Sequence, residues 1–233
     1  MNQSSKSKEA QTQEGLEAAL RAKGLWDESI WQFQEALRIN PDNAEARYNL
    51  GSAIQAKGFI DEAIEEYREA IRINPEFAKA HCNLGIALAE KGFPEEAIKE
   101  YQEAIRIDPE FAKAHNNLGI ALSAEGLLDK AIREYREAIR INPEFALAHN
   151  NLGFALYKKG SLDEAIIEYK EAIRINPDNV NSHFYLGNTL RAQGLPEEAI
   201  KSFENFIRYA PPQLKEQIKK VKETIKQIKE KKP

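Results

Sequence analysis

Six prolines stand at positions 41, 75, 109, 143, 177 and 211, each 34 residues after the one before. A fixed period of about 20–50 residues marks a solenoid, in which each unit buries its apolar face only against its neighbours. Two glycine ladders keep the same step: Gly24, Gly58, Gly92, Gly126, Gly160 and Gly194, then Gly51, Gly85, Gly119, Gly153 and Gly187. With proline at position 32, the units run 10–43, 44–77, 78–111, 112–145, 146–179 and 180–213. A polar stretch over 1–9 is expected to be a disordered tail. The six units are expected to form one continuous domain.

Each unit reads as two helices. In the second, Ala46, Leu50, Ala53 and Ile54 form one apolar stripe, and Ala63, Ile64, Tyr67, Ala70 and Ile71 form another. Both follow the i, i+3, i+4, i+7 rule of an amphipathic helix. Gly58 and its equivalents suit the left-handed residue that ends a first helix, here helix A. Acidic pairs such as Asp61-Glu62 then favour the positive end of the second, helix B. Pro94 and Pro196 fall where a first-turn proline is tolerated. Asn74-Pro75 stops helix B, because the residue before proline is pushed out of the helical region. No segment reads as a strand, so the class is all-α.

Composition narrows the functions. The chain is 42% hydrophobic and 30% charged, as in ordinary soluble protein, and its net charge of −4 argues against a nucleic-acid partner. Its N-terminal stretch shows no secretory signal, and no apolar run approaches the roughly 18 residues of a membrane helix. A lone Cys82 forms no internal disulfide. These features point to a cytoplasmic protein without a membrane partner. After Pro211-Pro212, residues 214–233 place Leu214, Ile218, Val221, Ile225 and Ile228 on one stripe among lysines and glutamates. That Lys-rich segment is expected to be a C-terminal capping helix.

The recurring residues closely resemble the tetratricopeptide repeat family. They stand as Leu50, Gly51, Ile54, Gly58, Ala63, Tyr67, Ala70 and Pro75, and recur as Leu84, Gly85, Leu88, Gly92, Ala97, Tyr101, Ala104 and Pro109. The likeness covers residues 10–213 and implies a right-handed α-solenoid, a superhelix of six helix-turn-helix repeats. One departure recurs at position 4, where the family often has an aromatic and this chain has His81, His115, His149 and His183.

These histidines invite a metal reading, which geometry opposes. Equivalent positions in successive units lie about 8–10 Å apart, whereas two nitrogens on one zinc each lie about 2.0–2.1 Å from it. They read as packing residues. Paired carboxylates such as Glu95-Glu96 lie at helix starts, where the dipole accounts for them. There is no nucleophile elbow and no phosphate loop, so neither an enzyme nor a cofactor is expected.

Asn49, Asn83, Asn117 and Asn151 recur at position 6 of units two to five. Asparagine is a mediocre helix residue, so its repetition in mid-helix calls for a reason. Duplication alone is one: units three and four agree at 23 of 34 positions. The other is recognition, since an amide offers both an acceptor and donors to a peptide backbone. Three extended residues, at about 3.3 Å each, span approximately one helix-packing distance. The family resemblance implies that helix A positions 2, 5, 6, 9, 12 and 13 line a concave groove. A similar asparagine ladder occurs in the superhelical arm of the transferases that place N-acetylglucosamine on Ser and Thr.

Other candidates at these positions are Lys79 and Lys113, Tyr48, Asn116 and Asn150, Ile86, Ile120 and Phe154, and Tyr157. The family's clamp for a C-terminal carboxylate is only partly matched, because position 5 never carries Lys and position 6 never carries Arg. The function expected is a non-catalytic scaffold or adaptor that binds an extended peptide or partner segment, as a monomer by its atypical end units. The alternatives are a self-assembly module or an accessory subunit of a larger complex.

Overall fold

A computed structural model describes residues 25–230. The expected tail over 1–9, helix A of the first repeat and the last three residues lie outside the described residues. The chain divides into two compact units, the first ending at Pro109 and the second beginning at Glu110. The sequence reading expected one continuous domain. Contacts in a repeat array are between neighbours only, so there is no single central core, and the array divides at a repeat boundary.

The first unit contains α1 (Trp26–Ile39), α2 (Ala44–Ala56), α3 (Ile60–Ile73), α4 (Ala78–Glu90) and α5 (Pro94–Ile107). The second contains α6 (Ala112–Ala124), α7 (Leu128–Ile141), α8 (Ala146–Lys159), α9 (Leu162–Ile175), α10 (Val180–Ala192) and α11 (Pro196–Tyr209). It closes with a single 3-10 turn at Pro212–Leu214 and α12 (Lys215–Glu230). Even-numbered helices up to α10 are A helices, and odd-numbered ones are B helices. No strand occurs among the described residues.

Each A helix ends in the same way. After α8, Gly160 takes φ +85°, the Gly160 N–H donates to Tyr157 O at 3.0 Å, and the Ser161 N–H donates to Leu156 O at 3.0 Å. This is the Schellman closure, in which a left-handed residue lets the last carbonyls find donors. Helix B stops where the sequence reading places the stop: Asn74, held at φ −131° before Pro75, still donates its N–H to Ala70 O at 2.9 Å.

The second glycine ladder has a different cause. A Cβ on Gly85 would lie 2.6 Å from the Tyr101 ring and 3.1 Å from the Ala97 carbonyl oxygen. Helix A therefore rests on an aromatic ring of its own helix B, with Ala97 and Ala104 fully buried beneath. Between repeats, each B helix packs on the next A helix: α1 on α2 and α3 on α4 in the first unit, α7 on α8 and α9 on α10 in the second. Successive A helices also touch (α2 with α4, α6 with α8, α8 with α10), while successive B helices within a unit do not. The A helices thus form the tighter layer of each unit. At the C-terminal end, α12 lies on α11 with Val221 and Ile225 buried, as its apolar stripe requires.

Candidate functional site

In each unit the open face of the A layer is a stripe. Position 2 (Lys79, Lys113, Leu147) is exposed, and position 6 (Asn83, Asn117, Asn151) is half-buried. At position 9, Ile86 and Phe154 are half-buried, and Ile120 is 44% exposed. Steps of four and three residues keep these positions on one side of a helix. Lys158, at position 13 of α8, continues the stripe and is exposed.

The asparagines do more than face outward. The Asn83 amide donates to the Tyr48 hydroxyl at 3.2 Å and to Ser52 Oγ at 3.3 Å. That of Asn151 donates to Asn116 Oδ1 at 3.0 Å, and that of Asn116 donates to Asn117 Oδ1 at 3.3 Å. Asn83 and Asn151 therefore each tie their A helix to the preceding one, whereas Asn117 accepts from its neighbour Asn116 on the same helix. Asn49 is buried outright, at 5% exposure.

Position 5 requires a correction. Asn116 and Asn150, expected to face a peptide, are 1% and 6% exposed. Both lie between successive A helices, where Asn116 accepts from Asn151 and Asn150 Oδ1 accepts from Ser182 Oγ at 2.9 Å. Tyr48 is half-buried in the same seam, its ring 5.1 Å from that of Phe77. The cause is the close approach of neighbouring A helices, which a single-helix stripe does not reveal.

Positions 9 and 12 differ between α2 of the first unit and α8 of the second. In the first, the Tyr67 hydroxyl donates to Gln55 Oε1 at 2.8 Å and lies 3.3 Å from Ser52 Oγ. In α8 the equivalent residues are Tyr157 and Phe154, and the buried Tyr169 hydroxyl has no hydrogen-bond partner. Aromatic surface replaces polar satisfaction there. The Phe154 ring lies 5.2 Å from Tyr185, with the Lys158 ammonium 5.4 Å from its centroid, a cation–π distance. Burial pushes the Tyr169 phenol well above its ordinary range, so it remains a protonated donor.

The position 4 histidines are buried, and each is tied to the framework. His81 Nδ1 lies 2.6 Å from Glu100 Oε2, and its Nε2 lies 3.2 Å from the Pro75 carbonyl oxygen. His149 repeats this with Glu168 at 2.6 Å and Pro143 O at 3.0 Å. His115 meets Glu134 at 2.8 Å. A carboxylate and a carbonyl only accept, so a ring between them must carry both N–H protons, as an imidazolium does. Burial disfavours that cation, but the glutamate and proline-carbonyl hydrogen bonds outweigh it and raise the pKa of His81 and His149. The His81 and His149 latches each join helix A, its own helix B and the proline turn of the preceding repeat. In α2 the place of histidine is taken by Arg47, whose Nη1 donates to Glu66 at 2.9 Å. The signal was available in the sequence: a glutamate follows 19 residues after Arg47, His81, His115 and His149 alike.

Among the described residues, no group of three or more His, Cys, Asp or Glu could hold a metal, and no helix is long and apolar enough to cross a membrane.

Comparison with known proteins supplies the family. A TPR-repeat description matches residues 18–58, 55–92, 94–126, 121–160 and 155–194, and a tetratricopeptide-repeat description matches 182–212. No curated protein matches the sequence. Among solved structures, MamA is 28% identical, with 69% of this chain and 94% of that chain covered and a TM-score of 0.63. YrrB, described as a TPR protein with an unusual peptide-binding site, is 21% identical over 77% of this chain and 93% of its own, with a TM-score of 0.62. The pilF protein of Pseudomonas aeruginosa is 20% identical over 79% and 88%, with a TM-score of 0.69. The last two are similar in fold alone. With its helix-turn-helix units matched nearly end to end, the chain belongs to the tetratricopeptide repeat family of protein-interaction scaffolds.

Proposed function

We propose that the chain is a non-catalytic adaptor whose A layer holds an extended segment of a partner protein. The observation that carries this reading is the open stripe at positions 2, 6, 9 and 13 of α4 in the first unit and of α6 and α8 in the second. In the first unit the polar rung Asn83 stands with Ile86, and in the second Asn117 and Asn151 alternate with Ile120 and Phe154. A guest strand rises about 3.3 Å per residue, so every third residue meets a new rung. Between rungs, apolar side chains of the guest cover the isoleucines and Phe154. Tyr157, beside Phe154, extends that aromatic floor in the second unit.

The units differ in charge. Lys113 and Lys158 stand on the stripe of the second unit, whereas the first has Lys79 beside Glu45 and Glu90. A guest with acidic groups therefore fits the second unit better, since complementary charge steers encounter and fixes register.

The test is capture of partner protein by the Asn83→Ala, Asn117→Ala double variant, which removes one rung from each unit. Recovery is expected to fall while helicity persists, each lost hydrogen bond contributing about 0.5–1.5 kcal/mol. Because Asn83 also ties helices together, Ile120→Glu serves as the companion variant: an exposed side chain whose change spares the framework. Unchanged recovery with both variants contradicts the proposal.

A further inference from the structure

The sixth repeat breaks the histidine latch in one place only. Position 23, which carries Glu66, Glu100, Glu134 and Glu168 in repeats two to five, carries Ser202 here. His183 keeps the other half of the latch, its Nε2 lying 2.8 Å from the Pro177 carbonyl oxygen. It is 4% exposed and stacks on Tyr209 with ring centroids 5.5 Å apart. Ser202 turns away from the histidine, donating its hydroxyl to the Glu198 carbonyl oxygen at 3.0 Å. A cavity of about 420 Å³ opens at this point, and both His183 and Ser202 line it.

The cavity's charged groups favour an anion. Lys170 and Lys201 line it, with Glu198 as its one carboxylate, and Lys170 lies 3.8 Å from Glu198. Ile173, Leu186 and Leu190 supply an apolar wall. The second ring nitrogen of His183 thus has no carboxylate opposite it, although the same fold supplies one at 2.6–2.8 Å in three other repeats.

We propose that this cavity is a binding site for a carboxylate supplied from outside the repeat, which takes the place of the missing glutamate against His183 Nδ1. A charge-assisted hydrogen bond of this type is about twice as strong as a neutral one. Lys201 and Lys170 steer the anion, and the apolar wall accepts a short aliphatic stem such as that of a glutamate side chain. The site is formed by α9, α10 and α11, away from the stripe proposed for peptide binding, so either assignment stands or falls without the other.

The test follows the imidazole nitrogen resonances of the full chain, with His183→Gln assigning the signal. Sodium acetate and a blocked glutamate tripeptide are the probes, titrated against sodium chloride at equal ionic strength. Both probes are expected to move the His183 signal saturably, with those of His81 and His149 unmoved because their partners are built in. Ser202→Glu restores the internal partner and is expected to weaken either response by about tenfold or more, whereas Ser202→Ala retains it. Tighter binding of the tripeptide assigns the site to an acidic side chain of a partner, and equal binding assigns it to a free carboxylate. A shift no larger than that with chloride, or one that survives Ser202→Glu, overturns the proposal.

Discussion

The two units use one framework beneath two different surfaces. Gly85 rests on Tyr101 in the first as Gly153 rests on Tyr169 in the second, each hypothetical Cβ falling within 2.8 Å of the ring. Above that shared floor they diverge. Tyr67 hands its hydroxyl to Gln55, while Tyr169 stacks on Tyr185 with its hydroxyl unmatched. Within the first unit itself Arg47 holds its latch with a permanent charge, while His81, like His149 in the second, holds the same latch with a titratable one. The glycine-on-aromatic floor is copied faithfully, whereas positions 4, 5, 9 and 12 vary from repeat to repeat. Departures from local consistency are expected where function outweighs stability, and the unmatched Tyr169 hydroxyl beside the stripe is such a departure.

The shared part breaks hardest. Gly85→Leu and Gly153→Leu are each expected to cost at least about 1–3 kcal/mol through overpacking against the ring, and by similar amounts in the two units. Chemical denaturation of both variants checks this. A large loss in one unit with tolerance in the other would show that the floors are not equivalent.

The next comparison should change sign between the units. Tyr67→Phe loses hydrogen bonds and is expected to destabilise by about 0.5–1.5 kcal/mol, while Tyr169→Phe removes an unsatisfied buried hydroxyl and is expected to be neutral or stabilising. Denaturation midpoints read out both. Equal losses would place a partner on the Tyr169 hydroxyl.

Titration separates the latches further. The pKa of His81 and of His149 is raised in the fold, so their contribution is fully present below the ordinary histidine value and is lost as pH rises through the raised one. Melting temperature should therefore fall on passing from mildly acidic to mildly alkaline buffer. Glu100→Gln with Glu168→Gln should flatten that slope, whereas Glu66→Gln, opposite Arg47, should leave it in place. A slope indifferent to the glutamines would assign it to other groups.

The smallest effect is expected at the surface. Arg106 reaches Glu76 of the preceding repeat at 2.7 Å, and Arg174 reaches Glu144 at 2.6 Å, but all four side chains are more than half exposed. Exposed pairs of this type contribute little, so Arg106→Ala and Arg174→Ala should both melt close to the parent.

Much of this was legible before any coordinates. Helix ends follow from Gly160 and Asn74-Pro75, because left-handed closure and the pre-proline restriction act locally. The floor was half legible: the ladder that includes Gly85 stood in the sequence, but only packing names Tyr101 as the neighbour that requires it. Position 5 was not legible, since whether Asn116 faces solvent or the adjoining A helix depends on how tightly successive A helices approach. The latch lay in plain view as a 19-residue spacing, detectable because Ser202 breaks it in the repeat where the carboxylate is missing.

The central claim is that the A layer, not the B layer, receives a partner. A photo-reactive amino acid at Ile120, on the A stripe, can be compared with one at Ile167, on the B helix α9, both exposed at 44% and 63%. Irradiation with bound partner should give adducts at position 120 and none above background at 167. Adducts at 167, or equal yields at both, would contradict the account.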